Sequence, residues 1–242
     1  MRDQSCNSIC LNGPEADTQN LNPNFVFKSG WAGQASDFEP LKQALKKLIP
    51  EAVFSDWQQE ESKPQTCVQP CIAIGHSLGF ADLISSSQTW QGAISLQGFT
   101  HFRSAAVDSC TGTPSRLLRQ MQKRFSESPE KVVREFLNSA GFTDSELWPA
   151  EFALDQLSDA ATQVLSEDLQ RLYELNMSLP TGMNILAIAT QDDPIVPASL
   201  TEYCFRGKTG VVLHWLSDGH RHAVHKHQAQ ACANLIANWL HT

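Results

Sequence analysis

The stretch CIAIGHSLGFADLI, Cys71–Ile84, decides how the rest of the chain is read. Four residues of strand character, Cys71 to Ile74, run into Gly75-His76-Ser77-Leu78-Gly79, and Phe80, Leu83 and Ile84 then keep helical spacing. A serine with glycines two positions before and two after fits a sharp strand-to-helix turn that lifts its hydroxyl above the C-terminal edge of a sheet. Glycine suits those positions because a side chain would crowd the neighbouring strand and helix. A plain glycine-rich loop after a strand can be spelled the same way, so the meaning of Ser77 depends on what the flanking sequence supplies.

A serine hydroxyl becomes a useful nucleophile when a base takes its proton and an acid orients that base. On a strand-turn-helix scaffold of this kind the chain order is serine, acid, histidine. Gln191-Asp192-Asp193-Pro194-Ile195-Val196-Pro197 follows a strand ending near Ala189, which makes Asp193 the candidate acid and Asp192 the alternative. Asp218-Gly219-His220 follows the strand Val211 to Leu216, which makes His220 the candidate base. The developing oxyanion needs donors. The backbone N–H of Leu78 is one, and the N–H of Trp31, in the glycine-bearing loop Ser29-Gly30-Trp31-Ala32-Gly33, is the second, with the indole walling the acyl pocket.

His214, His220, His222, His225 and His227 crowd the end of the chain. The His222/His225 and His220/His227 spacings loosely resemble zinc ligands, but no paired cysteine or carboxylate motif joins them, so neither a metal nor a cofactor is expected. A closing helix from about Ala223 to Leu240 would leave the later histidines partly exposed.

Outward from Ser77 the chain alternates strands and helices. Phe25-Val26-Phe27, Ala52-Val53-Phe54, Cys71 to Ile74, Ala93 to Leu96, Met183 to Ala189 and Val211 to Leu216 read as strands, and Leu41, Leu45 and Leu48 mark a helix between the first two. Such alternation implies an α/β domain, a mostly parallel sheet with helices on both faces. From about His101 to Leu179 only helical patterns occur: Val132, Val133, Phe136 and Leu137 share one face, and Val164, Leu165, Leu169, Leu172 and Leu175 another. The expected organisation is a core of residues 1–100 and 180–242 with a helical lid over 101–179.

A net charge of −8 argues against a nucleic-acid role. No apolar run reaches the roughly 18 residues that span a bilayer, and the polar residues 1–24 lack the apolar centre of a secretory leader. Seven cysteines without metal spacing read as reduced thiols, which fits a cytoplasmic monomer.

Together, SGWAG at Ser29–Gly33, GHSLGF at Gly75–Phe80, LQGF at Leu96–Phe99, FSESPEKVVREFLNSAG at Phe125–Gly141, DDPIVP and DGH resemble the α/β-hydrolase superfamily from about Phe25 to Leu240. Within it the chain is most similar to the pimeloyl-[acyl-carrier-protein] methyl ester esterases of biotin synthesis. The resemblance implies a serine carboxylesterase in which Ser77, Asp193 and His220 are the triad, Trp31 and Leu78 serve the oxyanion, and helices cover the acyl chain. The family's Gly-His-Ala at the base is Gly219-His220-Arg221 here, and the strand before the acid ends Ala189-Thr190 where glycine is usual. The implied partner is an acyl-carrier protein. Arg116, Arg119, Lys123, Arg124, Lys131 and Arg134 put six cations into 19 residues of an otherwise acidic chain, a local field suited to an acidic carrier; a solvated helix face is the plainer reading of the same residues. A thioesterase or broad carboxylesterase would use the same site. A non-catalytic binding protein of this fold is the alternative from another class.

Overall fold

Along the buried strands, successive side chains go to opposite faces of the sheet and are sorted by size. In the computed structural model, which describes residues 23–57, 71–103, 111–141, 157–217 and 222–241, Phe25, Phe27, Ile72, Ile74, Ile94, Leu96, Leu186 and Ile188 point to one core. Val26, Ala73, Ala93, Ile185 and Ala187 point to the other. The sheet therefore has a bulky face and a face of mostly small residues, and different helices can approach each one.

Six strands form that sheet: β1 (Asn24–Lys28), β2 (Val53–Asp56), β3 (Cys71–His76), β4 (Gly92–Leu96), β5 (Asn184–Thr190) and β6 (Val211–Leu216). They lie in the order β2-β1-β3-β4-β5-β6, and every pairing is parallel. All six residues of β3 are buried, as expected for a central strand covered on both faces. The six strand readings from the sequence are all present. The bulky face is covered by α1 (Glu39–Leu48) and α8 (Ala229–Trp239), with the short α7 (Val224–His227) before it. Pro40 lies in the first turn of α1, where its missing N–H has no carbonyl to meet.

The small face takes α2 (Leu78–Ser85), α6 (Ala198–Phe205) and three helices that lie between β4 and β5: α3 (Ser115–Glu127), α4 (Pro129–Ala140) and α5 (Asp159–Glu174). The inward faces of these three carry Leu118, Phe125, Val132, Val133, Leu137, Leu165, Leu169 and Leu172. Val164, grouped with that face in the sequence, is 56% exposed; it is one residue round the helix from Leu165, outside the buried stripe. Cys71, Cys204 and Cys232 are buried thiols, and burial pushes the Cys232 thiol up to about 12. Among the described residues no helix is long and apolar enough to cross a membrane.

Strand order reverses direction between β1 and β3, since the chain runs outward from β1 to β2 and then crosses back to β3. At such a point the loops leaving two adjacent strands diverge and open a crevice at their carboxyl ends. The loop after β1 holds Trp31, and the turn after β3 holds Ser77.

The approach of α2 to β3 is the tightest requirement of this layout. A Cβ on Gly75 would lie 2.2 Å from Cα of Phe80. Gly75→Ala is therefore expected to lose at least about 2 kcal/mol of stability, because α2 must move off the sheet to admit one methyl group. Urea unfolding of the two proteins checks this, and equal midpoints would contradict the packing.

Candidate active site

Ser77 has φ 56° and ψ −127°, a conformation that L-residues rarely adopt. Holding it there costs on the order of 1–3 kcal/mol, so the surrounding structure must over-determine the turn. It does so from three sides. The Ser77 N–H donates to the carbonyl of Leu96 at the end of β4 (3.1 Å), and the Ser77 carbonyl accepts from the N–H of Phe80 (3.2 Å). A Cβ on Gly79 would lie 2.3 Å from the carbonyl oxygen of Lys28, so α2 rests directly on the end of β1.

The loop after β1 presses on the same turn. A Cβ on Gly30 would come within 2.6 Å of Cβ and 3.2 Å of Oγ of Ser77. Trp31 follows, in a turn closed by the Gly33 N–H donating to the Gly30 carbonyl (3.0 Å), a bond that does not use the N–H of Trp31. Leu78 is the first residue of α2, and its N–H has no carbonyl to meet within the helix. The Trp31 indole is buried. Its Nε1–H donates to the carbonyl of Leu165 in α5 at 2.9 Å, and its ring packs edge-on against Phe125 and Phe136 at 5.8 and 4.9 Å.

Asp193 is buried whereas Asp192 is exposed. One carboxylate oxygen of Asp193 accepts the N–H groups of Ile195 (2.7 Å) and Val196 (3.1 Å). This is the local bonding by which an aspartate fixes a turn. The other oxygen meets Nδ1 of His222 at 2.7 Å, with both side chains fully enclosed. A carboxylate only accepts, so Nδ1 carries the proton and Nε2 presents a lone pair. That Nε2 is buried and has no hydrogen-bond partner among the described residues. The imidazole is thus oriented through Nδ1, and its Nε2 lone pair is used by none of them.

The histidine whose ring meets Asp193 among the described residues is therefore His222; the candidate base His220 lies outside the described residues together with Asp218 and Gly219. One signal in the sequence points to His222. The His-Ala pair of the family pattern survives as His222-Ala223, displaced two residues from the Gly-His of Gly219-His220. The expected partial exposure of the later histidines holds for the half-buried His227 and is corrected for two others. His222 and His225 are buried, because α7 turns its first residues inward before α8 begins.

His222 lies beside the turn that carries Ser77. The ring of His76, the residue before the serine, is 4.5 Å from the ring of His222 and 4.3 Å from that of His225. Nε2 of His76 lies 3.0 Å from the carbonyl oxygen of His222. Burial, reinforced by its two histidine neighbours, holds the pKa of His76 well below the ordinary value. Burial likewise lowers His225 to about 3.

Of the six basic residues singled out in the sequence, Arg116, Arg119, Lys123 and Arg124 lie on α3 and Lys131 and Arg134 on α4, all exposed. Lys123 pairs with Glu127 at 3.9 Å, Arg124 pairs with Glu135, and Arg119 lies over the Tyr173 ring at 5.9 Å. Arg116, Lys131 and Arg134 make no ion pair among the described residues. No group of three or more metal-ligating side chains occurs among the described residues.

No protein-family model matches the sequence, and no curated protein does. Solved structures match over nearly the whole chain. An esterase from Exiguobacterium antarcticum is 12% identical, with a TM-score of 0.70, covering 91% of this chain and 92% of its own. The 2-hydroxy-6-oxo-6-phenylhexa-2,4-dienoate hydrolase from Rhodococcus sp. strain RHA1 is 14% identical, with a TM-score of 0.65 over 91% of each chain. A thermophilic esterase from Thermogutta terrifontis is 14% identical, with a TM-score of 0.61, covering 91% of this chain and 89% of its own.

The buried histidines set an acid limit on the fold. In the unfolded chain a histidine binds its proton below about pH 6.5, whereas folded His225 binds one only near pH 3. Between those values the unfolded state holds the extra proton, so stability falls as pH falls, by up to about 1.4 kcal/mol per pH unit for each such histidine. His225→Phe is expected to flatten the decline of the urea midpoint between about pH 6 and pH 4 by one proton's worth; parallel curves would contradict it. On sheet order, strand-to-helix serine turn and similarity to solved structures alike, this chain has the α/β-hydrolase fold.

Proposed function

We propose that the protein is a serine carboxylesterase whose triad is Ser77, His222 and Asp193. The observation that carries this reading is the buried His222 imidazole, bonded to Asp193 through Nδ1 and without a partner at Nε2 among the described residues, beside the strained turn of Ser77. Ser77 Oγ attacks the ester carbonyl carbon while its proton passes to Nε2 of His222. The negative charge that develops on the carbonyl oxygen is met by the backbone N–H groups of Leu78 and Trp31 as its donors. Collapse of the tetrahedral adduct breaks the bond to the alkoxy oxygen, and the proton on Nε2 goes to that oxygen, so the alcohol departs. Water then attacks the acyl-enzyme with His222 again as base, and Ser77 regains its proton. Asp193 keeps Nδ1 protonated and stabilises the transient imidazolium.

The substrate favoured by the family resemblance is the methyl ester of a pimeloyl chain carried on acyl-carrier protein, with methanol released. Two features support a carrier-borne acyl group. Trp31, Phe125 and Phe136 give an aromatic cover beside the site. Exposed cations on α3 and α4 face outward from an acidic chain. These fit an acidic carrier better than a small neutral ester. A broad carboxylesterase or thioesterase would share the triad and lack the dependence on those cations.

Ser77→Ala is expected to abolish turnover of p-nitrophenyl esters and labelling by a fluorophosphonate; full activity in that variant would end the proposal. Asp193→Asn keeps an oxygen for the Ile195 and Val196 N–H groups but offers Nδ1 a donor. That favours the wrong tautomer, so kcat is expected to fall on the order of 10⁴-fold with the fold retained. Substrate class is tested by the paired charge reversal Arg116→Glu/Arg134→Glu. The ratio of kcat/KM on carrier-bound ester to that on p-nitrophenyl ester is expected to fall at least about tenfold at low salt, a difference that added salt erodes. An unchanged ratio would leave the esterase and remove the carrier.

A further inference from the structure

We propose that His76 is a positioning residue for the base: its Nε2–H, donated to the carbonyl oxygen of His222 at 3.0 Å, fixes where the His222 ring stands between Asp193 and Ser77. This inference rests on the triad proposed above.

A base that must meet Asp193 on one side and Ser77 on the other tolerates little movement of its backbone, since a misplacement of about 1 Å can cost 10²-fold in rate. His222 stands just after residues 218–221 and just before the short helix α7. Its N–H donates to the carbonyl of Ala140 at the end of α4, 3.2 Å away, and the N–H of Ala223 donates to the same oxygen at 3.2 Å. That hold comes from the helices that cover the site. Its Nδ1 is held by Asp193, on the loop after β5. The hold on its carbonyl comes from His76, the last residue of β3, which is paired in register with Leu96 of β4 at the centre of the sheet. Among the described hydrogen bonds, His76 is what ties the backbone of the base to the sheet itself. Adjacent residues thus serve the two halves of the proton transfer: Ser77 gives the proton, and His76 sets the position of the group that takes it.

The chemistry of the contact fixes the protonation of His76. A carbonyl oxygen only accepts, so Nε2 must carry the hydrogen. The side chain is buried with the rings of His222 and His225 against it, and Phe38 covers the far side of His225 at 4.8 Å. Burial keeps His76 neutral at ordinary pH. A neutral neighbour does not oppose the positive charge that His222 gains when it takes the proton of Ser77, whereas a cation in the same place would.

The test compares His76→Gln, which keeps an N–H donor, with His76→Leu, which fills the space and donates nothing. Both are measured on a p-nitrophenyl ester across pH. His76→Leu is expected to lose about 10- to 100-fold in kcat with KM changed less than about threefold. The rising limb of its pH–rate profile is expected to shift, and the far-downfield proton of the Asp193–His222 bond to move or broaden. His76→Gln is expected to recover most of the rate and the native profile. A His76→Leu enzyme with native kcat and profile overturns the proposal. So does a folded His76→Gln enzyme as slow as the leucine variant, since the donor would then be irrelevant. If the leucine variant does not fold, imidazole nitrogen shifts of the unaltered protein decide: His76 must be neutral and protonated at Nε2, and a bare Nε2 overturns the proposal. Ser77→Ala separates this outcome from the triad reading. An active Ser77→Ala enzyme removes the triad, while an inactive one beside a fully active His76→Leu removes only the role of His76.

Discussion

The site depends on how closely α2 and the loop after β1 can approach the end of β3. Gly75, Gly79 and Gly30 are three contacts in which a single methyl group would meet backbone or Ser77 at 2.2 to 2.6 Å. The small sheet face under α2, made by Ala73 and Ala93 with their bulky neighbours turned the other way, extends the same requirement into the core. Once α2 is drawn in, Ser77 has no room for an ordinary turn and takes φ 56°. The strain is thus a consequence of packing that buries large apolar area, at about 25 cal/mol per Å², and a few such side chains outweigh it. The same approach brings the loop after β1 against the side chain of Ser77.

The second half of the site is fastened in a different way. Asp193 and His222 come from loops after β5 and β6, and loops have no sheet ladder to fix them. Asp193 is held instead by its own backbone neighbourhood, and His222 by Asp193, the end of α4 and His76. Asp193 spends one oxygen on Ile195 and Val196 so that the other can face His222. Further back, Gln97 at the end of β4 has φ 51°. Its side-chain amide donates to Oγ1 of Thr190 at 2.8 Å and accepts the N–H of Thr190 at 3.2 Å. This clasps β4 to the last residue of β5, three residues before Asp193. Buried amides bonded on both sides are costly to break, because each partner would be left unsatisfied. The acid is therefore supported by a strand end that is itself bolted to its neighbour.

This division explains what was legible in the sequence. Strands and the serine turn follow from period, glycine spacing and apolar runs, which are local, and all six strands were readable. The place of Asp193 just past a strand end was readable too, because it follows a strong strand and precedes Pro194-Ile195-Val196-Pro197. The histidine was not, since five candidates lie within 14 residues, His214 to His227, and local pattern favours the Gly-His of Gly219-His220. What selects His222 is tertiary: the carboxylate of Asp193 in front, His76 behind and the end of α4 above. None of these partners is near in sequence. The burial of His225 was hidden for the same reason, as it depends on Phe38 from before α1 and His76 from β3.

The three helices between β4 and β5 that cover the small sheet face are fastened to the loop after β1 and to α2. The Trp31 indole N–H donates to the carbonyl of Leu165 of α5, and Asp82 of α2 pairs with Arg171 on that same α5. The relative weight of these ties can be judged. Arg171 is 44% exposed, and an ion pair so open to water contributes at most about 1 kcal/mol. A buried indole-to-carbonyl bond contributes about the same net amount. The edge-on contacts of Trp31 with Phe125 and Phe136 add about 0.5–1.5 kcal/mol each beyond their area, and the area itself counts for more, since each ring buries on the order of 150–250 Å². The cover is thus held mainly by apolar packing on Trp31, with the polar ties setting its register.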